Sequence, residues 1–294
     1  MLRKIAAFVF HISGIALILR KGIGRNRVTI LVYHDPKPEI FEKHMAYLAK
    51  RCNFISLRVL VGAIENQDWT SIPRNSLVIV FDDGLKGNYH LLEIFEKFAI
   101  TPTIYLCSHI VNTNRKFWFD TGFKNHHSLK KYANADRLRK LKKMVDYDPH
   151  KEYDGRQALN LKEIQEMAPV VDFQSHSKFH PILTNCPDEE CREEIGGSKS
   201  HLTMMLNKPI EHFCYPNGDY SEREVEYAKE AGYRSSRSID IGWNNVNSDP
   251  FRLKAMYVDD DASIYVLIAQ ISGFFGYLRY LRMGSLYGKH PPYA

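Results

Sequence analysis

The sequence predicts an α/β fold built around a parallel β-sheet, and two observations support this class. Apolar runs of strand length recur along the chain, and between them lie segments whose apolar residues are spaced as on a helix. Regular alternation of strand and helix is typical of parallel sheets, which are either doubly wound or closed into a barrel. The 294 residues are enough for one large domain of this class or for two modest ones.

The predicted strands are, in chain order, VTILVYH, SLVIVFDD, TPTIYLCS, VVDFQSHS, EHFCYP, YRSSRSI and RLKAMYV. The helical segments between them are EIFEKHMAYLAKRC, NYHLLEIFEKFAI, LKEIQEMA, DEECREEIGGSKSHLTMML and SEREVEYAKEAG. The last of these ends at Gly232, and glycine commonly follows the end of a helix. The segment from about 112 to 160 fits the alternation poorly. We interpret it as an inserted helical segment between a strand and the next helix.

The two ends of the chain differ from the predicted α/β domain, residues 28–262. Residues 1–27 contain an apolar run from Ile5 to Leu19 between basic clusters. This run is too short for a membrane span, which needs about 20 apolar residues. It is typical of a helix at a membrane surface, or of an N-terminal helix packed on the core. Residues 263–294 form a predicted amphipathic helical tail.

The composition narrows the classes of partner and the compartment. The excess of basic residues behind the net charge of +6 lies largely at the N-terminus and in one stretch of the insertion. No zinc-finger, RNP or helix-turn-helix pattern accompanies it, so we expect no nucleic-acid partner. The five cysteines are scattered, which argues against a disulfide framework and favours a reducing compartment. We therefore expect a cytoplasmic protein, peripheral to the inner membrane if the N-terminal segment is the membrane-surface helix rather than a helix packed on the core.

Polar, titratable residues follow four of the predicted strands. The four strand ends read YHD at 33–35, DDG at 82–84, HS at 176–177 and YPNG at 215–218. Because loops after the carboxyl ends of parallel strands carry the chemistry of such folds, these residues are candidates for one site. Asp82 and Asp83 are the most informative, since adjacent carboxylates repel each other and are poorly solvated at the end of a buried strand.

The spacing of His176 and His180 suggests a metal ion. Residues four apart can present both imidazoles on one side of the chain. Two imidazoles and one carboxylate are a common ligand set of catalytic zinc, with one position left open. Asp82 or Asp83 can supply that carboxylate, and the other can act as general base. Because a divalent ion lowers the pKa of a coordinated water from about 16 toward about 7, these residues predict metal-assisted hydrolysis of an amide or ester.

At these residues the sequence resembles the polysaccharide deacetylases of the NodB-homology type, from about residue 28 to 261. Phe81–Gly84 matches the F-D-D-G motif, and Ser175–Pro181 matches S/T-H-x-x-x-H-P. Phe213–Asp219 matches the F-x-Y-P-N-G-D variant of the third motif. The resemblance implies a distorted (β/α) barrel that removes N-acyl groups, chiefly N-acetyl groups, from amino sugars by means of zinc or a similar divalent ion.

The resemblance also implies a role for each matching residue. Asp82 is expected to be the general base. Asp83, His176 and His180 are the expected ligands of the divalent ion, with Zn²⁺ as the expected metal. The backbone N–H of Asn217 is expected to help stabilise the oxyanion.

The resemblance further implies a sugar substrate and residues that contact it. Tyr215 and Pro216 are expected to shape the wall of the groove, and Trp243 is expected to line the acyl pocket. Trp118 and Phe119 of the insertion can either stack on a sugar ring or pack internally. The expected substrate is an N-acylated amino sugar in a polysaccharide, an oligosaccharide or, given the apolar and basic ends of the chain, a lipid-linked glycan.

The sequence departs from the family pattern at two places. Many members have an arginine in the third motif that orients the base, whereas this chain has Cys214 there. The late L-x-H motif with the acid histidine is not evident. His34, in LVYHD, resembles an early histidine of members that deacetylate poly-N-acetylglucosamine, and it is the expected general acid. These departures leave an alternative, a non-catalytic carbohydrate-binding or assembly protein on the same fold.

Overall fold

The computed structural model describes residues 27–272 and contains a closed parallel barrel. Its strands are β1 (Thr29–Tyr33), β2 (Asn53–Phe54), β3 (Ser76–Phe81), β4 (Thr103–Leu106), β5 (Asp172–Ser175), β6 (His212–Cys214), β7 (Ser235–Ile241) and β8 (Leu253–Tyr257). The order β1-β8-β7-β6-β5-β4-β3 closes into a ring because β1 also pairs with β3, and β2 pairs with the start of β3. The barrel class predicted from the sequence is therefore confirmed.

Nine α-helices accompany the strands in the described part of the chain. They are α1 (Pro38–Ala49), α2 (Leu57–Glu65), α3 (Leu92–Lys97), α4 (Asn134–Val145), α5 (Leu161–Met167), α6 (Asp188–Arg192), α7 (Ser198–Leu206), α8 (Glu222–Glu230) and α9 (Ile264–Ile271). None of these helices has both the length and the apolar composition needed to cross a membrane. The predicted N-terminal segment, apart from residue 27, and the predicted tail after residue 272 lie outside the described residues.

The predicted strands correspond to β1 and β3–β8, and two elements were not predicted. Strand β2 has two residues, too few to show an alternating pattern. Helix α2 has a sequence signal: apolar residues recur at helical spacing from Leu57 to Ile64, and the Ser56 side chain caps its first turn. The long helical segment predicted after Pro187 is interrupted by a π-helical turn, Glu193–Gly197, between α6 and α7.

The strands are buried on both faces, which explains their nearly continuous apolar sequences. Ile30, Val32, Val78 and Val80 belong to one cluster, which also contains apolar side chains of α2. The alternate residues of β1 and β3, such as Leu31 and Phe81, belong to a larger cluster with the surrounding helices. The alternation along each strand thus separates an inner core from an outer one.

The insertion between β4 and α5 has a small core of its own. Trp118, Leu129, Leu141 and Tyr147 pack together with Ile182, which lies outside the insertion after β5. Helix α4 and a short 3₁₀ helix, His126–Leu129, belong to this unit. Its anchorage on the loop after β5 holds the insertion beside the carboxyl end of the barrel.

Candidate active site

The carboxyl ends of the strands surround a cavity of about 290 Å³. Six of the nine predicted site residues line it: His34, Asp82, Asp83, His176, His180 and Asn217. They come from the loops after β1, β3, β5 and β6. The parallel arrangement therefore brings together residues that are up to 183 positions apart in the chain.

Unusual backbone conformations hold several of these residues in place. Asp83, Ser177, His180 and Asn217 all have positive φ angles, between 59° and 71°. Left-handed conformations are disfavoured for residues other than glycine, and they concentrate at functional sites where surrounding structure imposes them. Gly84 also has a positive φ, of 66°, and a Cβ there would lie 2.4 Å from a Leu106 methyl group. The turn after β3 therefore requires glycine at this position.

Three ligand atoms converge at the centre of the cavity. The Nε2 atom of His176 lies 3.5 Å from Asp83 Oδ1, and the Nε2 atom of His180 lies 3.2 Å from the same oxygen. All three atoms are within 4.8 Å of one another. Their chemistry and spacing match the two-imidazole, one-carboxylate set that holds divalent transition metals.

The proton positions strengthen this interpretation. His176 Nδ1 lies 2.8 Å from the Cys214 carbonyl oxygen, which can only accept, so Nδ1 carries the proton. Burial lowers the pKa of His176 to about 4, which keeps the ring neutral. Its Nε2 lone pair therefore faces the Asp83 oxygen, an arrangement that is repulsive when Asp83 is ionised unless a cation lies between them.

Asp83 shows the same need for a cation. Its Oδ1 atom is buried and has no hydrogen-bond partner among the described residues. Burial raises the pKa of Asp83 to about 7, with only part of this rise opposed by nearby positive charge. A divalent ion at this position would reverse the shift, because a dication stabilises the carboxylate directly. The residues present thus fit a metal ion.

Asp82 has a different environment from Asp83 and a different role. The fully buried guanidinium of Arg237 donates a hydrogen bond to Asp82 Oδ2. Burial is the largest single influence and would raise the pKa of Asp82, but the charge and hydrogen bond of Arg237, together with His176 and His34, outweigh it, and the pKa lies below its ordinary value. Asp82 therefore stays ionised beside the ligand cluster, as a general base must.

Arg237 replaces the arginine that the third motif lacks. It lies on β7, and Cys214 on β6 is its register partner across the parallel pair. The guanidinium reaches the base from the neighbouring strand, with its Nη2 atom 2.6 Å from the Cys214 sulfur. We did not predict this residue. A charged side chain in the middle of the buried strand YRSSRSI was the available signal, because such a charge needs a buried partner.

His34 is held at the cavity by its backbone. Its N–H donates to Asp260 Oδ1 at 3.1 Å, and its carbonyl oxygen accepts a hydrogen bond from the Asn88 amide at 2.7 Å. The imidazole stacks on the Tyr257 ring at 6.0 Å between centroids. These contacts fix the ring beside Asp82 and Asp83, where an acid could reach a leaving group.

The structure does not bring the three predicted substrate-binding residues to the cavity. Tyr215 is fully buried in the outer core and its hydroxyl donates to the Phe251 carbonyl oxygen at 3.2 Å. Pro216 is buried behind the Asn217 loop, and Trp243 lies outside the residues that line the cavity. Their position in or near a motif predicts that they lie close to the catalytic residues. The direction of each side chain, however, depends on the strand pleat and on the turn. The remaining walls are Trp118, Phe119, His126, Lys130, Ile239 and Tyr257.

Glu194 supports the loop that carries His180. Glu194 lies in the π-helical turn. Its carboxylate accepts hydrogen bonds from the backbone N–H groups of Lys178 and Phe179 at 2.8 and 3.0 Å. The Ser177 hydroxyl oxygen accepts a hydrogen bond from the backbone N–H of His180 at 3.0 Å. π-Helical turns are frequent at functional sites. This one places a buried carboxylate under the loop, which is also held by hydrogen bonds from the Ser108 and His109 backbone and from the Trp118 indole.

We expect Glu194→Ala to weaken metal binding by about 10- to 100-fold, because groups that orient metal ligands have effects of this size. The loop would lose its acceptor, and His180 would no longer be held toward Asp83. The measurement is a metal-binding isotherm on the full chain. Glu193→Ala is the matched control, since Glu193 is exposed and pairs with Lys178 at the surface. An unchanged isotherm for a folded Glu194→Ala protein would show that the loop positions His180 unaided.

Comparison with known proteins places this site within a family. The family model described as polysaccharide deacetylase matches residues 71–236, and the chain belongs to this family. Its members are hydrolases that act on linear amide bonds, and the enzyme class predicted from the sequence is confirmed. No curated protein matches the sequence.

Solved structures of low sequence identity share the fold. A deacetylase of Streptococcus pyogenes, PplD, solved in complex with acetate, is 17% identical with a TM-score of 0.62, covering 83% of this chain and 98% of its own. IcaB from Ammonifex degensii is 15% identical with a TM-score of 0.62, covering 84% and 96%. BC0361, a polysaccharide deacetylase from Bacillus cereus, is 18% identical with a TM-score of 0.60, covering 83% and 69%.

Proposed function

We propose that this protein is a metal-dependent N-deacetylase of amino-sugar glycans. The observation that carries the proposal is the convergence of Asp83 Oδ1 with the Nε2 atoms of His176 and His180, next to an ionised Asp82. The family supports the reaction class, removal of acyl groups from acetylated polysaccharides. The donor set of one carboxylate and two imidazoles favours Zn²⁺ over Mg²⁺ or Ca²⁺, which prefer oxygen ligands.

In the proposed mechanism the residues divide the proton transfers between them. Asp83, His176 and His180 would hold the metal ion, which supplies Lewis-acid polarisation of the amide carbonyl and acidifies water. Asp82 takes a proton from the attacking water. His34 donates a proton to the departing amine, and the Asn217 backbone N–H faces the carbonyl oxygen as negative charge develops.

The buried ion pair between Asp82 and Arg237 argues against the non-catalytic alternative. That alternative drew support from the missing third-motif arginine, and Arg237 supplies a guanidinium at the base from another strand. Desolvating a charged pair is expensive, and replacing such a pair with apolar residues is often neutral or stabilising. A protein that only binds sugar has no need of an ionised carboxylate held in this way.

The test is a deacylation screen on the full chain, with N-acetylglucosamine oligomers and lipid-linked N-acyl sugars as substrates. We expect acetate or formate release that stops when a chelator removes the metal and returns when Zn²⁺ is added back. The readouts are released acid and bound metal per chain. Full activity after complete metal removal would exclude the proposed role of the Asp-His-His cluster. Comparison of the substrates distinguishes a free glycan from a lipid-linked one.

A further inference from the structure

The cavity has a second polar region, separate from the Asp-His-His cluster and supplied by the insertion. Lys130 lines the cavity and its Nζ atom lies 2.6 Å from the Asn217 side-chain oxygen. His126 also lines the cavity, and its ring lies 4.2 Å from that of His127. We call Lys130 and His126 the cationic wall. Neither residue belongs to the sequence motifs from which the family was recognised.

The position of Lys130 is fixed by structure on both sides of it. Leu129, the preceding residue, is buried in the small core of the insertion. The Lys130 carbonyl oxygen accepts a hydrogen bond from the Asn185 amide at 2.7 Å. The side chain is half-buried, and burial lowers the pKa of Lys130 while the nearby Asp219 carboxylate opposes that shift. A lysine is thus directed into a partly desolvated cavity, where an uncharged side chain would be less costly.

The positive charge of this wall comes from Lys130. His126 adds a neutral imidazole, because burial lowers its pKa and the neighbouring His127 and Lys130 lower it further. The insertion, residues 112–160, contains twelve Lys and Arg against six Asp and Glu, so its net charge equals the +6 of the whole chain. Residues 1–27 carry six further Lys and Arg and no Asp or Glu, and the rest of the chain offsets that charge. The insertion beside the cavity is thus one of two basic segments of the chain.

The two carboxylates that line the cavity, Asp82 and Asp83, belong to its other polar region. Asp82 is paired with Arg237, and Asp83 belongs to the cluster that fits a divalent ion. Asp219 does not line the cavity; it accepts a hydrogen bond from the Asn217 amide at 2.5 Å, and its charge favours the ammonium form of Lys130. The cavity has a volume near the lower end of the range for small-molecule sites, so a bound sugar at the Asp-His-His cluster would also lie close to Lys130.

We propose that the cationic wall is a subsite for an anionic group, a phosphate or a carboxylate, carried by the N-acyl sugar or by the residue attached to it. This rests on the proposed function and adds the substrate class: an acidic glycan or a glycosyl phosphate rather than a neutral homopolymer. Lys130 is the specificity-determining contact. Its hydrogen bond to Asn217 holds the ammonium group in the cavity, and the anion of the substrate adds a second acceptor.

The test compares three N-acetyl substrates of matched length with the full, metal-loaded chain. One is a neutral N-acetylglucosamine oligomer, one carries a phosphate at its reducing end, and one alternates N-acetylhexosamine with uronic acid. We expect the wild type to prefer one of the anionic substrates in kcat/KM, and the preference to shrink as salt is added. Which of the two is preferred identifies the source of the anion.

The variants separate charge from hydrogen bonding. Lys130→Gln can still donate to Asn217 but has no charge, and we expect the preference for the anionic substrate to fall by roughly ten- to a hundredfold. Lys130→Arg keeps the charge and should retain the preference. Lys131→Gln is the matched control, because Lys131 is exposed and its ammonium group lies over the Tyr132 ring at 5.6 Å from the centroid.

The outcomes distinguish the two proposals. Equal wild-type activity on neutral and anionic substrates, or equal losses on all three in Lys130→Gln, would overturn the anion subsite and leave the deacetylase function standing. The second result would mean that Lys130 only orients Asn217. Release of acid from none of the substrates would overturn both proposals. Loss of the preference in Lys130→Gln and its retention in Lys130→Arg and Lys131→Gln would establish the subsite.

Discussion

The Asp82→Asn variant is expected to lose deacetylation by about 10²- to 10⁴-fold, the usual contribution of a general base, and to bind metal as the wild type does. Asparagine has the same shape and can still accept the Arg237 hydrogen bond, but it cannot take a proton from water. The three atoms that converge on the metal position come from Asp83, His176 and His180 and are left in place. Initial rates and metal content per chain are the two measurements.

Three companion variants make this result specific. Asp83→Ala and His176→Ala each remove one ligand atom and should lose metal and turnover together. His34→Gln should keep metal and lose turnover, because it removes the proposed proton donor. Asp82→Asn protein with wild-type rates, or without metal, would contradict the division of roles between the two adjacent aspartates.

The Arg237→Met variant is expected to change both the pH dependence of the reaction and the stability of the barrel. Without the guanidinium, burial is the largest remaining influence on Asp82 and raises its pKa. The base is then protonated over a wider pH range, so the acid limb of kcat/KM moves to higher pH. A pH-rate profile measures the shift, and Arg234→Met is the control, since Arg234 lies in surface ion pairs with Glu65 and Glu211.

The stability effect has a defined sign. In the wild type the folded-state pKa of Asp82 is depressed, so the pair stabilises the fold above the unfolded pKa and this contribution disappears as pH falls through the folded pKa. Removing Arg237 leaves a buried charge without its partner, which costs about 3–5 kcal/mol. The deficit should be largest at high pH and shrink as Asp82 takes up a proton. Urea unfolding across pH measures it.

The double variant Cys214→Arg with Arg237→Cys tests the cross-strand replacement directly. The two positions are register partners on β6 and β7, so the exchange moves the guanidinium to the third-motif position, where the sequence resemblance leads us to expect an arginine. We expect the acid limb to return toward its wild-type pH. If the pH-rate profile of the double variant matches that of Arg237→Met, the guanidinium acts on Asp82 only from β7.

Much of this protein could be predicted from sequence because the relevant signals are local. Strands buried on both faces have continuous apolar runs, and helices have apolar residues at their own period, so β1, β3–β8 and most helices were recognised. The metal site could be recognised because its residues come from two short segments. One contains the adjacent Asp82 and Asp83, and the other contains His176 and His180, four residues apart. The strand ends then indicated which segments would meet, since parallel strands share an edge.

Tertiary structure alone decided the parts that depend on side-chain direction and on pairing between distant segments. Arg237 reaches Asp82 because β6 and β7 align in a particular register, and no single segment encodes that register. Tyr215 lies next to the cavity in sequence but points into the outer core, whereas Lys130, 87 positions from Asn217, lies in the cavity beside it. Periodicity and contiguous motifs are properties of one segment. Which residues are neighbours across the barrel depends on how separate segments pack. For this reason only the folded structure shows which side chains line the cavity.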